Sequence, residues 1–199
     1  LFQETELFSW TNYNLGGPGL LNSEKFAPLL QEYLSDKTYE DLEVELHVAT
    51  TDLLAGECRI FSEGPLLKTV LASAAFPFIF SPVRIDDGMY ADGGTVNNLP
   101  VEAIRDRCRY VIGSYVNPVP EVKLEELGGT FDILERTYRI ATNYPALRKL
   151  EDCDWRMAPG RLAKFGLFSL DEAKEIYRIG YEDGKKVTEE IAKVLNHES

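Results

Sequence analysis

Apolar residues recur along the chain in two different periods. Phe26, Leu29, Leu30, Tyr33 and Leu34 lie three and four apart, the repeat of a helix that buries one face, with Asn22 or Ser23 at its cap. Val44, Leu46 and Val48 alternate instead and predict a strand over Glu43–Thr50, with a second strand over Glu57–Phe61 after the turn residues 52–56. Gly64-Pro65 opens a helix through Ala75, rich in small residues, which Pro77 ends. Val83–Ile85 and Met89–Ala91 flank Asp86-Asp87-Gly88, the composition of a short hairpin whose glycine reaches positive φ without steric cost. A short helix is predicted over Pro100–Arg107 and a compact apolar strand over Tyr110–Val116; strand, helix and strand in that order predict a parallel sheet with helices on both faces. The stretch from Asn117 to Gly129 is acidic and irregular. Phe131–Leu150 reads as a helix with Phe131, Leu134, Tyr138 and Ala141 on one face and a break near Pro145. Ser169 and Glu172 have the spacing of a capping box for a last helix from Leu170 to about Leu195. Its apolar and small face runs through Ala173, Ile176, Tyr177, Gly180, Gly184, Val187, Ile191 and Val194, and the glycine pair predicts a close helix crossing.

Composition narrows the classes. The 199 residues suffice for one domain spanning 1–199 with a sizeable core. A net charge of -12 excludes nucleic acid as a partner, because phosphates need neutralising cations, and favours neutral or zwitterionic substrates over anionic lipid. Cys58, Cys108 and Cys153 are too few and too scattered for a disulfide framework or a zinc site, which points to a reducing, cytoplasmic setting. No apolar run reaches the length of a membrane span, and the amino end has no signal-peptide pattern and no starting Met. Glu151-Asp152-Cys153-Asp154 lacks the spacing of a hard-cation site and reads as a solvated loop, so neither metal nor cofactor is expected. His47 reads as a structural strand histidine and His197 lies in the tail, so no Ser-His-Asp triad is expected within the chain. Asp52, at a strand end, reads as a turn residue binding local N–H groups.

Candidate chemistry concentrates between Arg84 and Pro100, around Asp92-Gly93-Gly94. A carboxylate on a glycine-braced loop can be a general base, a helix cap or a turn residue, and the residues alone leave all three open. The two glycines remove every Cβ behind Asp92, so another backbone or a substrate can approach closely. Asn97 and Asn98 could orient Asp92 or bind substrate, although helix capping and turn bonding suit asparagine better. Phe76, Phe78 and Phe80, at every second position just upstream, read as core, with the wall of an acyl-chain pocket as the other possibility. The turn-forming cluster Asn14–Gly19 is followed by neither a P-loop Lys-Ser/Thr pair nor a nucleophile elbow, so it reads as a loop leading to a cap.

Three segments, V-A-T-T-D-L-L-A-G-E from Val48, S-E-G-P-L-L-K-T-V-L-A-S-A-A-F-P from Ser62 and Y-A-D-G-G-T-V-N-N-L-P-V-E-A-I from Tyr90, resemble the second half of the patatin-like phospholipases. I-Y-R-I-G-Y-E-D-G-K from Ile176 resembles the last helix of the bacterial members. The resemblance implies a three-layer α/β/α domain with a mainly parallel sheet, its amino-terminal portion missing here. It also implies a lipid acyl hydrolase using a Ser-Asp dyad, with Asp92 as the acid. The chain departs from that pattern by lacking a G-x-S-x-G nucleophile elbow: Ser73 lies in L-A-S-A-A and Ser114 in I-G-S-Y-V. The missing amino-terminal segment is therefore expected on the same or an associated chain. The implied substrate is a lipid or acyl ester, met transiently at a membrane surface, with no cofactor. Two other readings stand beside this one: a non-catalytic patatin-like domain serving as a protein or lipid interaction module, and an unrelated α/β domain in which Asp92 is a turn residue.

Overall fold

The computed structural model describes residues 18–34, 37–166 and 169–198. The chain divides between Ala103 and Ile104 into two compact units. In the first, helix α1 (Ala27–Leu34) is followed by β1 (Val48–Asp52), β2 (Glu57–Phe61), α2 (Leu66–Ser73), β3 (Val83–Ile85) and β4 (Gly88–Asp92). The strands form one sheet in the order β2-β1-β4-β3, antiparallel throughout. Short links dictate the β1–β2 and β3–β4 pairings, since only antiparallel neighbours can be joined by a few residues, whereas β1 and β4 are brought together from distant parts of the chain. Between β1 and β2, Asp52 Oδ1 accepts the N–H groups of Leu54 at 2.9 Å and Ala55 at 3.1 Å, the turn bonding expected of it. Between β3 and β4 the positive φ falls on Asp86, at 51°, not on Gly88, because a short polar side chain also tolerates the left-handed region.

Helix α2 buries Leu66, Thr69, Leu71 and Ala72. Leu71, Ala72, Ala75, Val83 and Ile85 form the core, with Phe26, Leu30, Phe80 and Tyr90 packed against them. The strand expected over Glu43–Thr50 begins only at Val48: Val44 is 80% exposed and Leu46 37%, an alternation with no neighbouring strand to read it. Asn22 does cap the first turn, accepting the Glu24 N–H at 2.9 Å, while Asn14–Gly17 lie outside the described residues. The expected helix over Pro100–Arg107 is two separate 3-10 turns, Val101–Ala103 and Arg105–Arg107.

The second unit holds β5 (Ile112–Ser114), α3 (Thr130–Glu151), β6 (Trp155–Met157) and α4 (Ala173–Glu198). β5 and β6 pair in parallel, with α3 as the crossover that parallel pairing requires. A mainly parallel sheet was the expectation; among the described residues this two-stranded ladder is the parallel sheet, and the larger one is antiparallel. β6 begins directly after Glu151–Asp154, the acid-rich stretch that reads from sequence as a solvated loop and is a mostly exposed turn, with Cys153 buried. α3 continues through Pro145, although proline cannot donate to the Ala141 carbonyl, because Ala146 and Leu150 are buried and anchor the second half. On α4 the buried positions are Ile179 and Val187, whereas Tyr177 is 72% exposed and stacks on exposed Tyr181. A Cβ on Gly180 would meet nothing within 4 Å, and one on Gly184 would lie 3.6 Å from Met157 Sδ, so these glycines mark no close helix crossing. The expected capping box is replaced by a 3-10 turn over Leu170–Glu172, with Ser169 Oγ accepting the Gly166 N–H at 3.0 Å. Among the described residues no helix is long and apolar enough to cross a membrane.

Candidate functional site

β4 delivers Asp92 to the end of the sheet, opposite Thr50 of β1. Its main chain is held from two sides: the N–H donates to the Ala75 carbonyl at 3.0 Å, and the carbonyl accepts the Thr51 hydroxyl at 2.8 Å. Its side chain is half-buried, and Oδ1 accepts the Gly94 N–H at 2.8 Å, capping a 3-10 turn over Gly93–Thr95. The cap reading of Asp92 is therefore realised locally, on one carboxylate oxygen. A single 3-10 turn, rather than a long helix, is what it caps.

Gly93 is buried, and a Cβ there would sit 2.6 Å from the Ala49 carbonyl carbon and 3.0 Å from the Thr50 nitrogen. This is the close backbone approach that a glycine after Asp92 suggests, and the backbone approached is β1. The N–H groups of Val96 and Asn97 return to the Gly93 carbonyl at 3.2 and 2.8 Å. Asn97 is buried, and its amide donates to the Glu102 carboxylate and to Cys58 Sγ, tying the loop to β2. Loop bonding is thus its visible work.

The segment Phe76–Phe80 divides the expectation placed on its aromatics. Phe80 packs edge-on against Phe26 at 5.5 Å between ring centroids, and Ile79 is buried, as core residues should be. Phe78 is 60% exposed and has φ of +70°, a region in which a bulky side chain is an outlier, at a cost on the order of 1–3 kcal/mol. Nothing in the residue types announces this, because the conformation is imposed by the bonds on either side. His47 lies just before β1, 3.4 Å from the Glu45 carboxylate.

Among the described residues no group of three or more His, Cys, Asp or Glu is arranged to hold a metal. Asp154, from the acid-rich stretch, instead bonds the Arg105 guanidinium at 2.8 Å and accepts the Val111 N–H at 2.7 Å. A groove of about 670 Å³ in the second unit is lined in part by Arg161, Lys164, Glu175 and Arg178. Its cations are engaged by Glu175 and Glu182, and no residue of the Asp92 loop borders it.

A family profile described as patatin-like phospholipase matches residues 2–105. An uncharacterized NTE family protein of Mycobacterium tuberculosis is 32% identical over 91 residues, which are 46% of this chain and 25% of that protein. A patatin-like phospholipase domain-containing protein of Caenorhabditis elegans is 27% identical over 146 residues, 70% of this chain and 11% of its own length. Lysophospholipase nte1 of Aspergillus fumigatus is 23% identical over 182 residues, 78% of this chain and 12% of its own. The chain thus spans a quarter or less of the length of these relatives.

Proposed function

The chain belongs to the patatin-like phospholipase family, and from that premise we propose that it is the acid-bearing part of a lipid acyl hydrolase with a Ser-Asp dyad. Asp92 is the acid of the dyad. The serine and the glycine-rich oxyanion loop belong to the segment upstream, on the same or an associated chain. Asp92 takes the proton from the serine hydroxyl as its oxygen bonds the acyl carbonyl carbon, while N–H groups of the oxyanion loop hold the developing charge. The ester C–O bond then breaks and the alcohol leaves with the proton that Asp92 took from the serine, which returns Asp92 to its carboxylate form. Asp92 next deprotonates the water that releases the fatty acid and restores the serine. The complete domain is a three-layer α/β/α body over a mainly parallel sheet, cytoplasmic and peripheral at the membrane surface where its substrate lies.

The observation that carries this reading is the fixing of Asp92. A general base must be positioned before its substrate arrives, and here the backbone is pinned by Ala75 and Thr51, with Gly93 pressed on β1. A non-catalytic interaction module is the second reading, favoured by the Oδ1 bond to Gly94, which needs no chemistry to explain it.

The test uses the full-length protein. It is expected to take up one fluorophosphonate, seen as a single mass increment, and to hydrolyse phospholipid or lysophospholipid. Asp92→Asn is expected to lower turnover by about two to four orders of magnitude without altering the melting curve. Turnover equal to wild type would remove Asp92 from the reaction. A folded full-length protein that takes up no probe would leave the interaction module as the function.

A further inference from the structure

Phe78 is held where neither burial nor backbone preference explains it. An aromatic that stays 60% exposed forgoes most of its hydrophobic gain, and at φ of +70° glycine would be the relaxed residue. Looseness is not the cause. The turn beneath it is closed by the Phe80 N–H donating to the Phe76 carbonyl at 2.9 Å. The carbonyls of Phe78 and Ile79 accept the N–H groups of Leu20 and Leu21 at 3.4 and 2.7 Å, and Ile79 and Ala75 on either side are buried. The ring is thus presented outward from a firmly bonded base. That base is continuous with the acid, because Ala75, three residues before Phe78, accepts the Asp92 N–H.

We infer that Phe78 meets the acyl chain of the lipid substrate and sets a preference for long chains. The inference rests on the hydrolase reading above and adds to it a specificity-determining residue. A lone apolar ring with no polar handle recognises methylene groups, and each additional methylene covered by it adds to binding. A butyryl group offers it little surface. A decanoyl group offers much more, so the contact should appear as chain-length discrimination.

The experiment compares kcat/KM of the full-length protein on p-nitrophenyl decanoate and butyrate, in wild type, Phe78→Gly and Phe78→Leu. The decanoate-to-butyrate ratio is expected to fall about tenfold or more in Phe78→Gly, chiefly through KM, and to stay within about threefold of wild type in Phe78→Leu. Phe78→Gly should melt at or above the wild-type temperature, since glycine accepts the backbone angle, so loss of fold does not confuse the result. A ratio unchanged in Phe78→Gly, whether or not both rates fall together, overturns the inference and leaves the hydrolase reading standing. No hydrolysis of either ester, with no fluorophosphonate uptake by wild type, removes the hydrolase reading and this inference with it.

Discussion

At the scale of single residues, Asp52 and Asp92 separate by what their oxygens do. Asp52 Oδ1 accepts two turn N–H groups, and its carbonyl accepts the Gly56 N–H at 2.9 Å, so it belongs to the β1–β2 turn. Asp52→Ala should cost about 1 kcal/mol in a denaturation titration, with kcat of the full-length protein unchanged. Asp92 combines a cap with a main chain tied to both α2's carboxyl end and β1. Gly93 is the residue that permits this, and its side of the argument is steric. Gly93→Ala would press a methyl against the Ala49 carbonyl of β1, so it is expected to destabilise by about 1–3 kcal/mol and lower the melting temperature by several degrees. The glycine pair was legible as a place of close approach. The backbone that approaches was not, because β1 lies some forty residues away in sequence, and only sheet pairing brings it there.

At the scale of elements, Arg105 organises the second unit's parallel ladder. Its guanidinium bonds the Asp154 carboxylate and also the carbonyls of Asp152, Cys108 and Arg109, gathering the chain just ahead of β5 and β6. The Arg105 bond, and next the Val111 N–H, hold the Asp154 carboxyl below the usual carboxylate range. The sign follows from linkage: a depressed folded pKa stabilises fully above the unfolded value near 3.9, and this contribution is lost as pH falls through the lower folded value. Asp154→Asn should therefore lower the melting temperature at pH 7 and flatten the acid limb of the stability profile. Because both partners are partly exposed, the difference at pH 7 should shrink in 0.5 M salt. The acid-rich stretch around Asp154 is a mostly exposed loop, as its composition suggests, but its bond to Arg105, 49 residues away in sequence, is not legible from the charges themselves. A three-residue strand beside it is too short to show a period.

At the scale of the whole molecule, charge is uneven. Residues 1–103 carry 5 basic and 16 acidic side chains, and residues 104–199 carry 16 and 17. The acid excess sits in the part that bears Asp92, so association with anionic membranes should be opposed at low salt. In co-sedimentation, replacing phosphatidylcholine by phosphatidylglycerol is expected to reduce binding at low ionic strength, and 0.5 M salt should remove the difference. Stronger binding to the anionic vesicles would contradict a zwitterionic preference.

Residue order alone determined the β3–β4 hairpin, a strand on either side of the Asp52 turn, the helix after Gly64-Pro65, the long helices and the position of Asp92, because turn chemistry and apolar period act over a few residues. The resemblance to the family was likewise carried by contiguous motifs, from Val48 to Ile104, within the residues 2–105 that the family profile matches. Tertiary structure decided the rest. Whether Val44 is strand or solvent depends on a neighbouring strand; which face of α4 is buried depends on the surface it packs on, so Ile179 goes in and Tyr177 stays out. The same holds for the antiparallel order of the main sheet and for the outward Phe78. Each results from contacts between segments distant in sequence, and no local pattern encodes which partner will be present.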